Sequence, residues 1–296
     1  MSQLPSAEDF KKLSHELKDL LREERRKKDV GKYLSLGALA KIKNVGRLIV
    51  IGDLHGDYGS LMKILSETGL NSKIPEDTVV VFLGDYIDRG YESPHVIYEV
   101  FKLKLREPSS IVLLRGNHEG PPELPVYPHD FPLHLNRIYR EQWREVYDAI
   151  ASCFNYLYAC AILEDSLFMV HGGIPTEAKK LEDLINANNE IALLEELLWN
   201  DPMNEIGKAP SPRGAGYLFG PDITESFLKA IEVKVVIRSH EPCNEGYEVL
   251  HNGRLITIFS RKGPPYFNSY GAYLDIHEPA KSEDAHQIVS KYAKRF

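Results

Sequence analysis

Three times within its first 120 residues, this sequence runs an apolar segment straight into a cluster of potential metal ligands. The segments are Arg47-Leu-Ile-Val-Ile-Gly-Asp-Leu-His-Gly56, Val79-Val-Val-Phe-Leu-Gly-Asp-Tyr-Ile-Asp-Arg-Gly90 and Ile111-Val-Leu-Leu-Arg-Gly-Asn-His-Glu119. Unbroken Val/Ile/Leu runs of this length suit strands buried on both faces of a sheet. In open α/β sheets, ligands bind beyond the carboxyl ends of the strands. Three such loops side by side predict one metal-loaded site.

The pattern from Leu48 onward alternates strand and helix. Strands ending at Ile51, Leu83 and Leu114 are separated by helical stretches over about 60–67 and 93–105, which is the grammar of right-handed parallel βαβ units. A Pro-rich break at 120–132 follows, with proline at 121, 122, 125, 128 and 132. It can be neither regular helix nor central strand, so it is expected as an ordered loop beside the site or a flap over it. A helix over about 137–155 comes next, then a hairpin turning at Glu164-Asp-Ser166. Its second strand ends in His171-Gly-Gly173. The stretch 176–198 reads as one helix leading into Trp199-Asn-Asp-Pro202, and 209–216 is rich in Gly and Pro around Arg213. A strand over 233–237 runs into Arg238-Ser-His240. A hairpin over 246–259 and a strand over 271–276 complete this half.

Before the first motif, residues 1 to about 30 read as an amphipathic helix. Ser6 and Asp9 fit a capping box, and Phe10, Leu13, Leu17, Leu20 and Leu21 share one face. The run Arg22-Glu-Glu-Arg-Arg-Lys-Lys28 mixes both signs and reads as a solvated helix end. Residues 31–45 read as a short helix or connector, and the last twenty as a terminal helix or loose tail. The expected organisation is an N-terminal helical extension (1–45), a catalytic domain (46–277) and a C-terminal tail (278–296).

Composition narrows the class. A chain of 296 residues, 43% hydrophobic and 27% charged, can bury a full core. A net charge of −7 argues against general nucleic-acid binding. No stretch is apolar enough for a membrane span or an export signal, so a soluble cytoplasmic protein without membrane association is expected. Cys153, Cys160 and Cys243 are an odd set without Cys-x-x-Cys spacing and read as reduced core thiols. Scarce glutamine with plentiful Lys, Glu and Tyr is a bias seen in proteins from hot environments.

The candidate ligands at strand ends are Asp53, His55, Asp85, Asn117, His171 and His240. Two carboxylates, three imidazoles and one amide oxygen suit Mn, Fe or Zn, with no thiolate to favour a softer site. Six such groups exceed the needs of one ion but fit two divalent ions sharing a carboxylate, and Asp85 in the central motif is the natural bridge. Such a centre attracts a phosphate dianion and supplies hydroxide at neutral pH. Taken singly, each group has an ordinary reading, such as turn chemistry for Asp after Gly. Their joint occurrence at strand ends does not.

Gly52-Asp-Leu-His-Gly56, Gly84-Asp-Tyr-Ile-Asp-Arg-Gly90 and Arg115-Gly-Asn-His-Glu119 resemble the signature motifs of the PPP family of metal-dependent serine/threonine protein phosphatases. His171-Gly-Gly173, Trp199-Asn-Asp-Pro202, Arg213-Gly214, Phe219-Gly220, Arg238-Ser-His240 and Thr257-Ile-Phe-Ser260 follow in the family's order. The resemblance spans about 46–277 and implies the calcineurin-like metallophosphoesterase fold: an α/β domain with a central β-sandwich of mixed sheets flanked by helices. It implies hydrolysis of phosphoserine and phosphothreonine in proteins by a metal-bound hydroxide. Asp53, His55 and Asp85 would hold one ion, and Asp85, Asn117, His171 and His240 the other. Manganese is the first expectation in vitro, with iron or zinc as alternatives. His118 would be the general acid, paired with Asp88. Arg89, Arg213 and Asn117 would hold the phosphoryl group, with Asp201 and Tyr266 in support. The compact chain fits an archaeal or bacterial member. It departs from the familiar pattern at 120–132 and at Ser260-Arg-Lys-Gly-Pro-Pro-Tyr266, both expected at the rim of the site.

Rival readings are a dinucleoside polyphosphate hydrolase, a non-catalytic phosphoprotein-binding module and a metal-dependent nuclease. Asp88-Arg89 and Glu119 disfavour the first, the intact ligand set the second, and the arginine pair with the acidic charge the third. A cysteine-phosphatase mechanism lacks its arginine: the residues six positions after each cysteine are Ala159, Ser166 and Val249.

Overall fold

The apolar runs form the strands Arg47–Ile51, Thr78–Phe82 and Ile111–Leu113, and every residue of the latter two is buried. Their side chains alternate between two cores. Ile49, Ile51, Val80 and Phe82 face helices. Leu48, Val50, Val79 and Val81 face Met169, Val235, Ile237 and Ile256 of a second sheet. Burying one such side chain stabilises by about 1.5–3 kcal/mol. In the computed structural model, which describes residues 4–279 and 284–296, the layers therefore stack as helices, sheet, sheet, helices.

In the first sheet Thr78–Phe82 pairs in parallel with Arg47–Ile51 and with Ile111–Leu113. Ala272–His277 joins antiparallel beside Arg47–Ile51, and Ala293–Arg295 pairs antiparallel beyond it. The second sheet runs in the spatial order Tyr33–Leu36, Leu39–Ile42, Cys160–Leu163, Leu167–Val170, Val235–Arg238, Leu255–Ile258, Tyr247–Leu250. Leu167–Val170, Val235–Arg238 and Leu255–Ile258 are mutually parallel neighbours. Their outer face packs Phe168, Val170 and Val236 against Leu197, Leu198, Phe227 and Leu228 of two helices. A small sheet, Asp201–Pro202, Tyr217–Phe219 and Lys208–Pro210, sits beside them. This is the mixed-sheet sandwich that the motifs implied.

The N-terminal helix spans Ala7–Lys27, with Ser6 Oγ accepting from Asp9 N at 3.1 Å as its cap. Phe10, Leu17 and Leu21 are buried in the same core as Ile49 and Phe82, with Leu13 and Leu20 packed at its edge. The helix end is solvated as expected except at Glu24, which is buried, and at Arg25. That guanidinium lies 3.8 Å over the Tyr158 ring and donates to Tyr156 O and Leu157 O.

Three local expectations are corrected. Residues 31–45 form an antiparallel hairpin, Tyr33–Leu36 with Leu39–Ile42. Gly37 turns at φ +53°, where an added Cβ would sit 2.2 Å from Ile185 O, and pairing with Cys160–Leu163 overrides the helix-forming Ala and Leu. The helix expected over 176–198 breaks into Leu181–Ile185 and Ile191–Trp199, because Asn186, Asn188 and Asn189 favour turns. The helix expected over 137–155 begins earlier and is divided, as Phe131–Tyr139 and Trp143–Phe154.

Of the tail, Ala285–Tyr292 is a helix capped by Asp284; residues 280–283, like 1–3 at the start of the N-terminal extension, lie outside the described residues. All three cysteines are buried thiols without disulfides. No helix among the described residues is long and apolar enough to cross a membrane.

Candidate active site

Each motif loop leaves its strand through a glycine that no other residue could replace. Gly84 has φ +107°, and a Cβ there would lie 2.3 Å from Gly116 N. A Cβ on Gly116 would lie 2.1 Å from Asp85 Oδ1. The two loops therefore cross in contact, which brings Asp85 against the Asn117-His118 turn. Beyond the glycines the backbone is strained: His55, Asp85, Asp88, Arg89 and His240 all have positive φ, a conformation that costs non-glycine residues energy and clusters at functional sites.

The six candidate ligands converge. His55 Nε2 lies 3.2 Å from Asp85 Oδ2 and 3.6 Å from Asp53 Oδ2. His171 Nε2 lies 3.5 Å from Asp85 Oδ1, 3.0 Å from Asn117 Oδ1 and 3.1 Å from His240 Nδ1. Backbone contacts aim the rings: His55 Nδ1 pairs with Ile87 O at 2.8 Å and His171 Nδ1 with Leu83 O at 3.1 Å. Each of these imidazoles thus keeps Nε2 as an acceptor facing the cluster. Ser239 Oγ accepts from Asp53 N, and His240 N donates to Asp53 Oδ1, joining the two sheets at the site.

These residues fit divalent cations. Asp53 Oδ2 and His240 Nε2 are buried with no hydrogen-bond partner among the described residues. One end of the Asn117 amide faces both Asp85 oxygens (3.2 and 3.0 Å), His171 Nε2 (3.0 Å) and His240 Nδ1 (3.2 Å), contacts that its NH₂ group satisfies by donating in the metal-free fold. Turned the other way, the same amide presents its oxygen to a cation bound among these groups. The electrostatics agree. Burial, reinforced by Asp85, pushes the Asp53 carboxyl up to about 7, and burial pushes Asp85 up to about 8. Burial lowers His55, His171 and His240 below the ordinary imidazole range. A metal-free cluster therefore tends to neutrality, and positive charge is what it lacks. A His118 nitrogen also lies within 4.8 Å of a His55 nitrogen and an Asp85 carboxylate oxygen. However, His118 Nδ1 is committed to Asp88 Oδ2 at 2.6 Å, which sets this ring apart from the other candidate ligands.

Burial, with the charges of His55 and Arg89, lowers His118 to about 4 despite the pull of Asp88. Burial alone would raise Asp88, but the His118 and His129 rings outweigh it and hold that carboxyl well below its usual range. Arg89, Arg213, Trp199 and Tyr266 line the same cleft of about 560 Å³ as His55, Asp85, Asn117, His118 and His240. Asp201 bridges Arg213 Nε (2.5 Å) and the buried Arg238 (2.7 Å), which places it as the anchor of Arg213. The Tyr266 ring stacks on His55 with centroids 5.7 Å apart.

All twelve sequence-predicted site residues are thus brought to one place. Three others were not foreseen. Glu119 is buried; its Oε2 accepts from Asp85 N and Gly116 N, and its Oε1 from Tyr86 N and Ile87 N. Both oxygens accept backbone N–H groups, which favours the carboxylate against the burial that raises it to about 8, and the residue ties two motif loops together. Arg261, from the divergent 260–266 segment, donates to His55 O and Pro264 O. His129, from the Pro-rich segment, pairs with Asp88 Oδ2 at 2.8 Å. A Pro-His-Asp sequence just after the third motif was the available signal for His129. Arg261 had none.

The calcineurin-like phosphoesterase model matches residues 46–244. Serine/threonine-protein phosphatase 5 of Solanum lycopersicum is 38% identical over 230 residues, which cover 75% of this chain and 39% of that protein. A protein phosphatase 2A catalytic subunit of Dictyostelium discoideum is 36% identical over 241 residues, 77% of this chain and 72% of that one. The chain thus spans about two fifths of the length of some curated relatives and most of others. A solved protein serine/threonine phosphatase from Saccharomyces cerevisiae, described as similar to human phosphatase PP5, superposes with a TM-score of 0.78 at 24% identity, covering 99% of this chain and 90% of that one.

Proposed function

Because this chain belongs to the calcineurin-like phosphoesterases and, within them, to the PPP serine/threonine protein phosphatases, we propose that it hydrolyses phosphoserine and phosphothreonine monoesters in proteins. One observation carries the reading: a cluster of buried carboxylates and imidazoles with unpartnered atoms lies beside a cleft that holds a carboxylate-paired histidine and two arginines.

In this reading Asp53, His55 and Asp85 hold one cation, and Asp85, Asn117, His171 and His240 the other. Divalent ions there, manganese first and iron or zinc as alternatives, would supply Lewis acidity, neutralise phosphate charge and acidify water. The protein's own groups do the rest. Arg89 and Arg213 hold the phosphoryl oxygens in the forked geometry that guanidinium provides, and Asn117 orients the same group. Asp201 keeps Arg213 extended toward the cleft, and Tyr266 packs the wall beside His55. Water forms a bond to phosphorus as the bond between phosphorus and the seryl or threonyl oxygen breaks, and His118 gives the Nε2 proton to the departing oxygen, so the products are the free hydroxyl and inorganic phosphate. Asp88 holds Nδ1–H, which fixes the tautomer and orientation needed.

We further take 46–277 as the catalytic domain, with 1–45 and 278–296 as flanking segments. The buried reduced thiols fit a cytoplasmic setting. Phosphoproteins are the proposed partners, with neither nucleic acid nor membrane involved.

The test is turnover of a phosphothreonine peptide by the wild type and His118→Asn, each with and without Mn²⁺, beside diadenosine tetraphosphate as an alternative substrate. Metal-dependent peptide turnover that falls about a hundredfold in the variant is expected. Faster turnover of the dinucleotide would overturn the substrate class.

A further inference from the structure

The Pro-rich segment does not float over the cleft; it is fastened to Asp88, the partner of the acid, and to Arg89, which holds the phosphoryl group. Asp130 Oδ1 accepts from Arg89 N at 3.0 Å, and Tyr127 O accepts from Arg89 Nη2 at 3.2 Å. Phe131 N donates to Asp88 Oδ1 at 2.7 Å. The remaining Asp88 oxygen, Oδ2, receives two imidazoles: His118 Nδ1 at 2.6 Å and His129 Nδ1 at 2.8 Å. Asp88 and Arg89 are consecutive positive-φ residues, so their backbone does not hold this shape unaided.

We propose that His129 is a positioning residue for the general acid: it fixes the Asp88 carboxylate through the same oxygen that His118 contacts and so holds the His118 ring at the angle needed to protonate the leaving oxygen.

Three observations carry this. First, Asp88 is fully buried, and each of its acceptor contacts comes either from the acid or from the 129–131 segment. Removing His129 leaves Oδ2 with His118 alone and frees the carboxylate to rotate about the Phe131 contact. Second, His129 is itself anchored, with Nε2 3.0 Å from the Tyr147 hydroxyl on the helix Trp143–Phe154. That hydroxyl donates to Nε2 or accepts from Nε2–H, so Nδ1–H points to Asp88 in either state of the ring. Third, packing does not supply the same restraint. Behind the strap lies a cavity of about 430 Å³ lined by Pro121, Pro122, Val126, His118, His129 and Tyr147. Hydrogen bonds, not close-packed side chains, set the strap's distance from the dyad on that side.

The inference rests on the phosphatase reading, and its test separates the two. Proton donation matters for an alkoxide leaving group and far less for p-nitrophenolate, which is stable as an anion. Turnover of a phosphothreonine peptide and of p-nitrophenyl phosphate is therefore compared, with Mn²⁺, in wild type, His129→Ala and His129→Asn. Metal content and thermal midpoint are measured alongside. For His129→Ala the ratio of peptide kcat to p-nitrophenyl phosphate kcat should fall about tenfold, with peptide KM little changed. His129→Asn retains an N–H at the Nδ1 position and should recover most of the ratio. In an Asp88→Asn background, His129→Ala should change the ratio no further. Equal losses on both substrates, an asparagine variant as poor as alanine, or an undiminished effect beside Asp88→Asn would each overturn the proposal. If the wild type turns over neither substrate with metal bound, it is the phosphatase reading that fails.

Discussion

Glu119 shows how a single residue can hold a site together without touching substrate. It is fully buried and accepts four backbone N–H groups from the second and third motif loops. Glu119→Gln keeps the shape but turns an amide NH₂ toward donors, leaving two of them unpaired. Each unsatisfied buried group costs about 1–3 kcal/mol. A loss of about 2–6 kcal/mol in urea unfolding is expected, together with reduced metal retention. Glu119→Gln with wild-type stability would show that the carboxylate is dispensable. The residue scale was also where the sequence was most legible. Asp53, His55, Asp85, Asn117, His171 and His240 could be read because each ends a hydrophobic strand, and strand ends face ligands. Glu119 was visible as a motif letter but not as a clamp, because its partners are backbone atoms of a distant loop.

At the scale of elements, the N-terminal helix is bound to the sheet through a buried polar knot. Lys104 Nζ, fully buried, donates to Glu24 Oε1 at 2.5 Å, Tyr33 OH at 2.7 Å, Pro108 O at 2.7 Å and Ile111 O at 2.8 Å. It joins that helix, the first hairpin and the edge strand of the first sheet. Lys104→Met would leave Glu24 buried without its cation, a change that costs about 3–5 kcal/mol in comparable settings. Denaturant unfolding of that variant checks this, and a loss below about 1 kcal/mol would show the knot to be peripheral. The amphipathic face of the helix was readable from its period. Its mooring was not, since Glu24 sits in a mixed-charge run that reads as solvated. The hairpin at 31–45 was misread for a related reason: residues that favour helix locally were recruited as an edge by parallel pairing with Cys160–Leu163. The Pro-rich segment was recognisable as irregular, but proline content alone could not say that its far end returns to Asp88.

Across the whole molecule, the two sheets meet at one electrostatic problem that metal ions solve. In the metal-free fold the Asp53 and Asp85 carboxyls, raised to about 7 and 8 by burial, keep protons that an unfolded chain releases near pH 4. The stability they give is complete below that pH and is lost as pH rises through about 7 and 8. The buried histidines run the other way: their folded values lie below the ordinary one, so their contribution is lost on acidification below about 6.5 and adds no slope above it. From about pH 6.5 to 8 these carboxyls, together with Glu119 and His129, whose values are also raised, set the slope, and the metal-free protein weakens. Metal ions displace those protons, so binding tightens over the same interval. The decisive experiment is a calorimetric titration of metal-free protein with Mn²⁺ at pH 6.5 and pH 8, with phosphothreonine-peptide turnover followed on the same samples. About two ions bound per chain, tighter at the higher pH, with turnover absent before metal is added, is the predicted result. A protein that binds no metal, or that turns over the peptide equally well after metal removal, would contradict it.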